Sequence, residues 1–528
     1  MPFFRLTSYR FVSDERRQME MRNVQFDMNN LAKIAATSIG FEGCANVKKL
    51  AEGLFNKVFL FTMEDGSEVV GKVPCRNAGR PHFTTASEVA SMDFARTVLG
   101  TPVPKVLAWS SKSSENTVAA EYIIMEKAPG VQLEEKWPGM DMNAKLKLIK
   151  AIGKIQKTWA SNTFSQYGSI YYPDDLETPT PCVLTKQDGS KVVNPRFSVG
   201  PSTSREQFDG GRMGVDFDRG PWNTVDQYER AVGYREINCV EKMLNLPRSL
   251  VGLYGPGTYI RSRSKILAAL HNYLQLIPYL LPTDSSISSS FLWHSDLHSQ
   301  NIFVNPESPW EVLSIIDWQF ISLLPLFHCA RQPHFLDHGG DPVEGLERPK
   351  FPENFDGMSP SEQKDAETLY WQRIASSLYR HLVNLEVPVF YKAMEYRETP
   401  LFQALLSAQF LAADGEALFQ WNLKQLREEW STLPSVQAAG NPQFPIHFSE
   451  DEIHTIDTDA EGTLRGIEWM EMLDLALGSP GLGDGYVRND QYDAVKRSLK
   501  ESKAIIVDQL GCSEEDRLQW DEYWPFDE

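Results

Sequence analysis

The sequence lacks most of the features that would place it in a specialised class. Its six cysteines, Cys44, Cys75, Cys182, Cys239, Cys329 and Cys512, are scattered over 528 residues without a CxxC pair, which fits free thiols in a reducing compartment. No run of 18 uncharged apolar residues occurs, so no membrane span is expected. Basic charge is scarce. Against 71 Asp and Glu stand 52 Lys and Arg, a net charge of −19, which argues against a nucleic-acid or anionic-membrane partner. No internal repeat or long low-complexity tract is present. What remains is a large globular chain: 42% hydrophobic content supports a sizeable core, and the length suits two lobes with insertions. The first 13 residues carry Arg5, Ser8, Arg10 and Ser13 and no acid before Asp14, a faint organelle-presequence pattern. An ordinary frayed terminus explains the same composition better.

The stretch from Phe291 to Phe320 organises the chain. His294-Ser295-Asp296-Leu297-His298-Ser299-Gln300-Asn301 leads into apolar Ile302-Phe303-Val304, a Pro-containing turn at 305–309, and Val312 to Ile316 followed by Asp317-Trp318. The two apolar runs read as hairpin arms that return Asp317 to Asn301. This layout suits phosphoryl transfer, in which positioning and charge stabilisation do most of the work. Asp296 would accept or orient the proton of an acceptor, while Asn301 and Asp317 offer the hard oxygen ligands that Mg²⁺ prefers. A zinc hydrolase competes, because an extended segment would put His294, Asp296 and His298 on one face. Chance occurrence of the spacing is the third reading.

Upstream, residues 15–40 read as a polar helix and a second helix beginning near Asp27. From Val47 the pattern shortens: Phe55–Phe61, a Glu64-Asp65-Gly66 turn and Glu68–Val73 predict a β-hairpin in which Val70 and Lys72 share one face. The Gly53-Leu54-Phe55-Asn56 turn before it could lay backbone N–H groups on phosphates; as a single-glycine turn it is equally ordinary. Residues 84–99 predict a helix stopped by Gly100 and Pro102. Glu88 in it has two readings, a capping box with Thr85 or a partner that holds Lys72 against the α- and β-phosphates. Ser87 could serve as the cap instead, and the position relative to Lys72 favours the second. The strand 119–126 runs into Lys127-Ala128-Pro129-Gly130, an interlobe connector whose Glu126 and Ala128 backbone groups could meet an adenine edge.

Taken together, the Gly53/Asn56 turn, strand Lys72, helix Glu88, Pro102-Val103-Pro104-Lys105-Val106-Leu107, the Met125-Glu126 linker, His294-x-Asp296-x-x-x-x-Asn301 and Ile316-Asp317-Trp318 resemble the aminoglycoside phosphotransferase-like branch of the protein kinase superfamily. Thr7-Ser8-Tyr9-Arg10-Phe11, Gly200-Pro201-Ser202-Thr203 and Asp218-Arg219-Gly220-Pro221-Trp222 resemble the fungal mitochondrial subgroup named for altered inheritance of mitochondria protein 9. The resemblance implies an α+β, bilobal kinase-like fold: a small antiparallel-sheet N-lobe and a large, mainly helical C-lobe. It implies ATP and Mg²⁺ in the cleft, Asp296 as catalytic base, Asn301 and Asp317 on metal, a small-molecule hydroxyl as acceptor, and a mitochondrial location, with the cytoplasm as the alternative.

The corresponding division is a helical extension over 1–40, an N-lobe over 41–128 and a C-lobe over 129–528. The C-lobe would contain the catalytic loop 294–301, an irregular but ordered insertion over 167–234 and a helical extension over 390–528. Helix is expected over 131–165, 264–277, 362–385, 400–430, 460–477 and 489–510. Trp318-Gln319 stands where protein kinases carry Phe-Gly, so a flipping activation segment is not expected. No Ala-Pro-Glu-like segment follows, which disfavours a protein kinase. A nucleotide-binding pseudokinase acting as a mitochondrial scaffold is the alternative to an active enzyme. Arg331 and His334 lie where an acceptor would sit, although Arg331 could equally pair with a buried acid. The acidic end, 521–528, reads as a solvated face with two aromatics tucked in.

Overall fold

In the computed structural model, which describes residues 9–50, 53–477, 485–511 and 513–526, the chain opens with strand β1 (Tyr9–Phe11) and helices α1 (Glu15–Arg22) and α2 (Met28–Thr37). Asp27 caps α2 by accepting the N–H groups of Asn29 and Asn30. The buried stripe Leu31, Ala35 and Ala36 then lies in one core with Phe59, Phe61, Val69 and Ile124. That core is one face of a five-stranded antiparallel sheet formed by β2 (Asn46–Lys49), β3 (Asn56–Thr62), β4 (Glu68–Pro74), β5 (Val106–Ser110) and β6 (Tyr122–Glu126), in the order β2-β3-β4-β6-β5. The expected hairpin is β3–β4, with Asn56 opposite Pro74 and Thr62 opposite Glu68. Helix α3 (Phe83–Thr97) crosses from β4 to β5.

The connector then enters the larger lobe. Gly130 has φ +85°, and a Cβ there would stand 2.3 Å from the Val304 carbonyl oxygen, so only glycine lets the connector pass this close. Next come β7 (Val131–Gln132), α4 (Leu133–Lys136) and α5 (Met142–Ala160); the helix expected over 131–165 is these two, and it ends at Ala160.

The region read as an irregular insertion is mostly regular. β8 (Asn162–Phe164), β9 (Ser169–Tyr171), β10 (Thr180–Lys186) and β11 (Lys191–Gly200) join two later strands, β12 (Ser290–Leu292) and β15 (Leu323–Pro325), in a sheet ordered β15-β12-β8-β10-β11-β9. Asp188-Gly189 makes the β10–β11 turn, and Cys182 and Leu184 alternate inward. The far end of the insertion is helical, since α6 (Val225–Lys242) starts at a Thr224 cap. Helices α7 (Arg263–Leu280) and α8 (Ser285–Ser288) lead into β12, and β13 (Ile302–Val304) with β14 (Val312–Ile315) forms the expected second hairpin, which pairs with β7.

Helices α9 (Leu326–Cys329), α10 (Pro360–Glu386), α11 (Pro388–Arg397), α12 (Pro400–Ala408), α13 (Leu411–Asp414), α14 (Ala417–Glu429) and α15 (Pro434–Ala438) follow. The single helix expected over 400–430 is thus three. Gly415, at φ +85° with Tyr259 against it, stops α13 where no side chain could follow. α16 (Glu450–Leu477) begins ten residues earlier than its apolar stripe suggested, and α11 was not foreseen. The chain closes with β16 (Tyr486–Arg488), α17 (Tyr492–Leu510) and α18 (Glu514–Tyr523), the last also unforeseen.

β16 pairs antiparallel with β1, and Val12 is buried with Leu473, Trp520, Trp524 and Phe526. Arg10 and Ser13, counted above as presequence residues, are therefore built into the fold: Arg10 pairs with Glu15 and Ser13 donates to the Pro525 carbonyl. The rest of that pattern, Arg5 and Ser8, and the Thr7-Ser8 end of the subgroup motif, lie outside the described residues, as do Cys512, Asp527 and Glu528. The other five cysteines are free thiols. Among the described residues no helix is long and apolar enough to cross a membrane.

Candidate active site

Lys72 projects from β4 into the interlobe cleft, two residues after half-buried Val70 on the same face. Its Nζ donates to Glu88 Oε1 at 2.6 Å and to Asp317 Oδ1 at 3.1 Å. α3 starts at Phe83, one residue before the expected start, and Glu88 lies in its second turn. Neither capping reading is realised: the helix begins after His82 with no side-chain cap. Both members of the pair are almost fully buried, with side chains 7% and 4% exposed. Burial disfavours the Lys72 ammonium, but Asp317 and Glu88 outweigh it and hold the group above its ordinary value.

Asp317 is delivered by the β13–β14 hairpin. Ile302 faces Ile315, and Ile316 N–H donates to the Asn301 carbonyl at 2.9 Å. Asp317 itself has φ +61°, a left-handed conformation that a short carboxylate side chain tolerates better than most. His294 braces the same corner from the other side. Its Nε2–H donates to the Ile316 carbonyl at 2.9 Å, and its ring meets Trp318 edge-on at 5.0 Å. Burial holds His294 below its ordinary pKa and thus neutral.

Asn301 Nδ2 donates to the Asp296 carbonyl at 3.0 Å and lies 3.4 Å from Asp296 Oδ2. That leaves Asn301 Oδ1, beside the Asp317 corner, for a cation. The Asp296 side chain is 58% exposed, with His298 Nε2 at 3.6 Å. Burial would raise the Asp296 carboxyl, but pairing with His298 and the nearby His294 and His334 outweighs it and holds the group below the usual carboxylate range. The same pairing outweighs burial at His298 and holds the imidazole above its ordinary value.

Residues 293–301 are loop, so His294, Asp296 and His298 do not alternate on one extended face. Among the described residues no three His, Cys, Asp or Glu side chains are placed to hold a metal together, and the geometry behind the zinc reading is not formed. An amide oxygen and a carboxylate, completed by waters and phosphate oxygens, match what Mg²⁺ takes.

The other predicted residues have these neighbours. Arg22 of α1 donates to the carbonyls of Gly53 and Leu54, both at 2.9 Å, which fixes the turn at 53–56. Asn56 is not a free donor: its Nδ2 bonds Gln319 Oε1 at 2.6 Å, and Gln319 Nε2 reaches the Ala78 carbonyl at 3.3 Å. The residue in place of the kinase glycine therefore clamps the Asp317 corner to the smaller lobe, and no local signal announced it. At the connector, Glu126 N–H is taken by the Lys105 carbonyl at 2.9 Å, whereas Ala128 N–H has no partner among the described residues. His334 Nδ1 bonds Asp337 at 3.1 Å, and exposed Arg331 pairs with no acid among the described residues. A cavity of about 580 Å³ behind the start of α3, lined by Arg76, Arg80, Thr85 and Glu121, is separate from these groups.

A five-stranded antiparallel lobe bearing a lysine–glutamate pair, a helical lobe, and between them an HxD loop with a downstream Asn and Asp make a bilobal, protein kinase-like fold. No family model matches the chain. A subtelomeric hrmA-associated cluster protein of Aspergillus fumigatus is 30% identical over 437 residues, which span 78% of this chain and 83% of that protein, and the chain belongs to that protein's family. The subgroup resemblance holds as well. Altered inheritance of mitochondria protein 9, mitochondrial, of Yarrowia lipolytica is 22% identical over 480 residues, 85% of this chain and 79% of that protein. Its Saccharomyces cerevisiae counterpart is 23% identical over 469 residues, 83% and 71%. The mitochondrial location expected from the motifs is the one these relatives' names carry. Among solved structures, the macrolide 2'-phosphotransferase of Brachybacterium faecium is 13% identical with a TM-score of 0.29, covering 72% of this chain and 98% of that one.

Proposed function

We propose that this protein is an ATP- and Mg²⁺-dependent phosphotransferase that moves a γ-phosphate to the hydroxyl of a small molecule, in mitochondria. The observation that carries the reading is Lys72, whose ammonium bridges Glu88 and Asp317. A buried ammonium fixed between two carboxylates is preorganised for α- and β-phosphate oxygens. Asp317 and Asn301 Oδ1 would hold Mg²⁺, which supplies charge neutralisation across the β- and γ-phosphates. The Glu126 carbonyl and Ala128 N–H would meet the adenine edge, with Val70 over the ring, and the Gly53 to Asn56 turn would cover the phosphates. Asp296, kept anionic by its surroundings, orients the acceptor hydroxyl and takes its proton. The acceptor oxygen bonds to the γ-phosphorus, the bond from phosphorus to the β–γ bridging oxygen breaks, and ADP leaves.

The experiment is a calorimetric titration of the full chain with a non-hydrolysable ATP analogue, with and without Mg²⁺, beside Asp317→Ala. Mg²⁺-dependent affinity that the variant loses is the expected result, and screening of hydroxylated metabolites for phosphate acceptance follows from it. Absence of binding under both conditions would refute the reading.

A further inference from the structure

The insertion sheet lies along α3, the helix that carries Glu88, and meets it from end to end. His82 Nε2 bonds the Asp175 carbonyl at 3.0 Å, and Phe83 meets Tyr171 edge-on at 6.1 Å. At the other end Asp93 accepts from the Tyr172 hydroxyl at 2.7 Å and pairs with Arg196, while Phe94 meets Phe197 at 5.2 Å. The middle contact is polar and buried. Ser87, Ser169, Ser202, Thr203 and Ser322 are each at most 4% exposed. Ser169 Oγ accepts the Thr203 N–H at 3.0 Å, lies 2.9 Å from Ser322 Oγ and donates to the Ile321 carbonyl at 3.2 Å. Ser202 Oγ lies 3.1 Å from Ser322 Oγ, and Thr203 Oγ1 reaches Ser87 Oγ at 3.5 Å.

Ser87 immediately precedes Glu88, and Ser322 stands five residues after Asp317. A hydroxyl network in a core is tolerated only while its members are bonded, so a slide of α3 or of the 317–322 segment would strand buried hydroxyls. We infer that Ser169, Ser202 and Thr203 are positioning residues, a hydroxyl strap from the insertion that, through Ser87 on one side and Ser322 on the other, locks α3 against the Asp317 segment. The Lys72–Glu88–Asp317 set is then assembled without a modification, a partner or an ordering loop. The Gln319 clamp acts in the same sense at the opposite edge of the corner. Only the consequence for nucleotide affinity rests on the phosphotransferase reading; the position of α3 is measurable apart from it.

The test is amide exchange of the full chain read by mass spectrometry over 84–97, with 360–386 in α10 as internal reference. Thr203→Val and Ser169→Ala are expected to speed exchange in 84–97 about tenfold, the worth of one buried hydrogen bond, and to leave 360–386 unchanged. Mg²⁺-dependent analogue affinity should fall by a similar factor, and Thr203→Ser should restore both. Ser202→Ala, a milder change that removes only the Ser202 contacts to Ser322 and Ser204, should speed exchange over 84–97 a few-fold and decides the matter should the first two variants fail to fold. An equal rise in both helices, or none in 84–97, would overturn the strap. A wild-type chain that binds no analogue would refute the phosphotransferase reading while the exchange data still judge the strap.

Discussion

Replacing Glu88 with glutamine tests the buried pair most directly. The substitution keeps the shape and removes one charge, leaving the Lys72 ammonium 7% exposed with Asp317 as its remaining anionic partner at 3.1 Å. Stripping one member from a buried ion pair costs about 3–5 kcal/mol, because the other charge stays desolvated. Here Asp317 recovers part of that, yet its side chain is 42% exposed and its attraction is screened by solvent. The expected loss is therefore about 2–3 kcal/mol, an interpolation between those limits. Lys72→Met should cost a comparable amount by stranding Glu88, whose carboxyl burial already pushes upward. The double variant removes both charges and should cost less than the sum of the two, with a coupling of about 2 kcal/mol. Urea unfolding followed by tryptophan fluorescence measures all four chains, with buried Trp159 and Trp318 close to the site as reporters. A coupling below about 0.5 kcal/mol, within the additivity of independent sites, would refute a buried, mutually dependent pair.

Asp296→Asn should lower turnover about 10²–10⁴-fold, the usual worth of general-base catalysis, with analogue affinity by calorimetry little changed; unchanged turnover would remove Asp296 from the mechanism. The His298 imidazole should titrate above its ordinary 6.5 in an NMR pH series and fall back toward that value in Asp296→Asn. Because His298 is raised and Asp296 depressed, their mutual stabilisation is complete below pH 6.5 and fades as pH rises through the folded His298 value. At the acid end it fades as Asp296 takes up its proton below its ordinary 3.8. A midpoint indifferent to the Asp296 charge would show the two are not paired. Gly130→Ala forces a Cβ to 2.3 Å from the Val304 carbonyl at φ +85°, so it should destabilise by more than about 1 kcal/mol; an unchanged urea midpoint would show that the connector relaxes freely.

Much of the site could be read from the sequence because its signals are local. The β3–β4 hairpin follows from one Glu-Asp-Gly turn between apolar runs, and the return of Asp317 to Asn301 from a second hairpin. The start of α3 was legible to within one residue, but not its cap: His82 takes φ +68°, a conformation no propensity favours, whereas Thr85-x-x-Glu88 carries a capping-box pattern that the chain does not use. The insertion concealed its strands in a different way. Asp188-Gly189 was a usable hairpin signal, but Val192 and Val193 face solvent and Pro195 interrupts β11, so the alternation that marks a half-buried strand was broken. Gln319 and the Ser169–Ser322 contact had no signal at all. Their partners stand 263 and 153 residues away in sequence, and polar residues in a polar context announce a bond only once the chain has folded.

The pairing of β1 with β16 also bears on how the polypeptide comes off the ribosome. Tyr9 lies opposite Arg488, so the first strand has no mate until residue 488 has been added, roughly 25–95 s later at about 5–20 residues per second. During that interval Phe11 and Val12, buried in the finished molecule, travel as an exposed apolar tag on the nascent chain. Ring closure over nearly five hundred residues is thus a late event of biogenesis, and a nascent chain stalled short of residue 486 would display its N-terminal strand to chaperones and proteases.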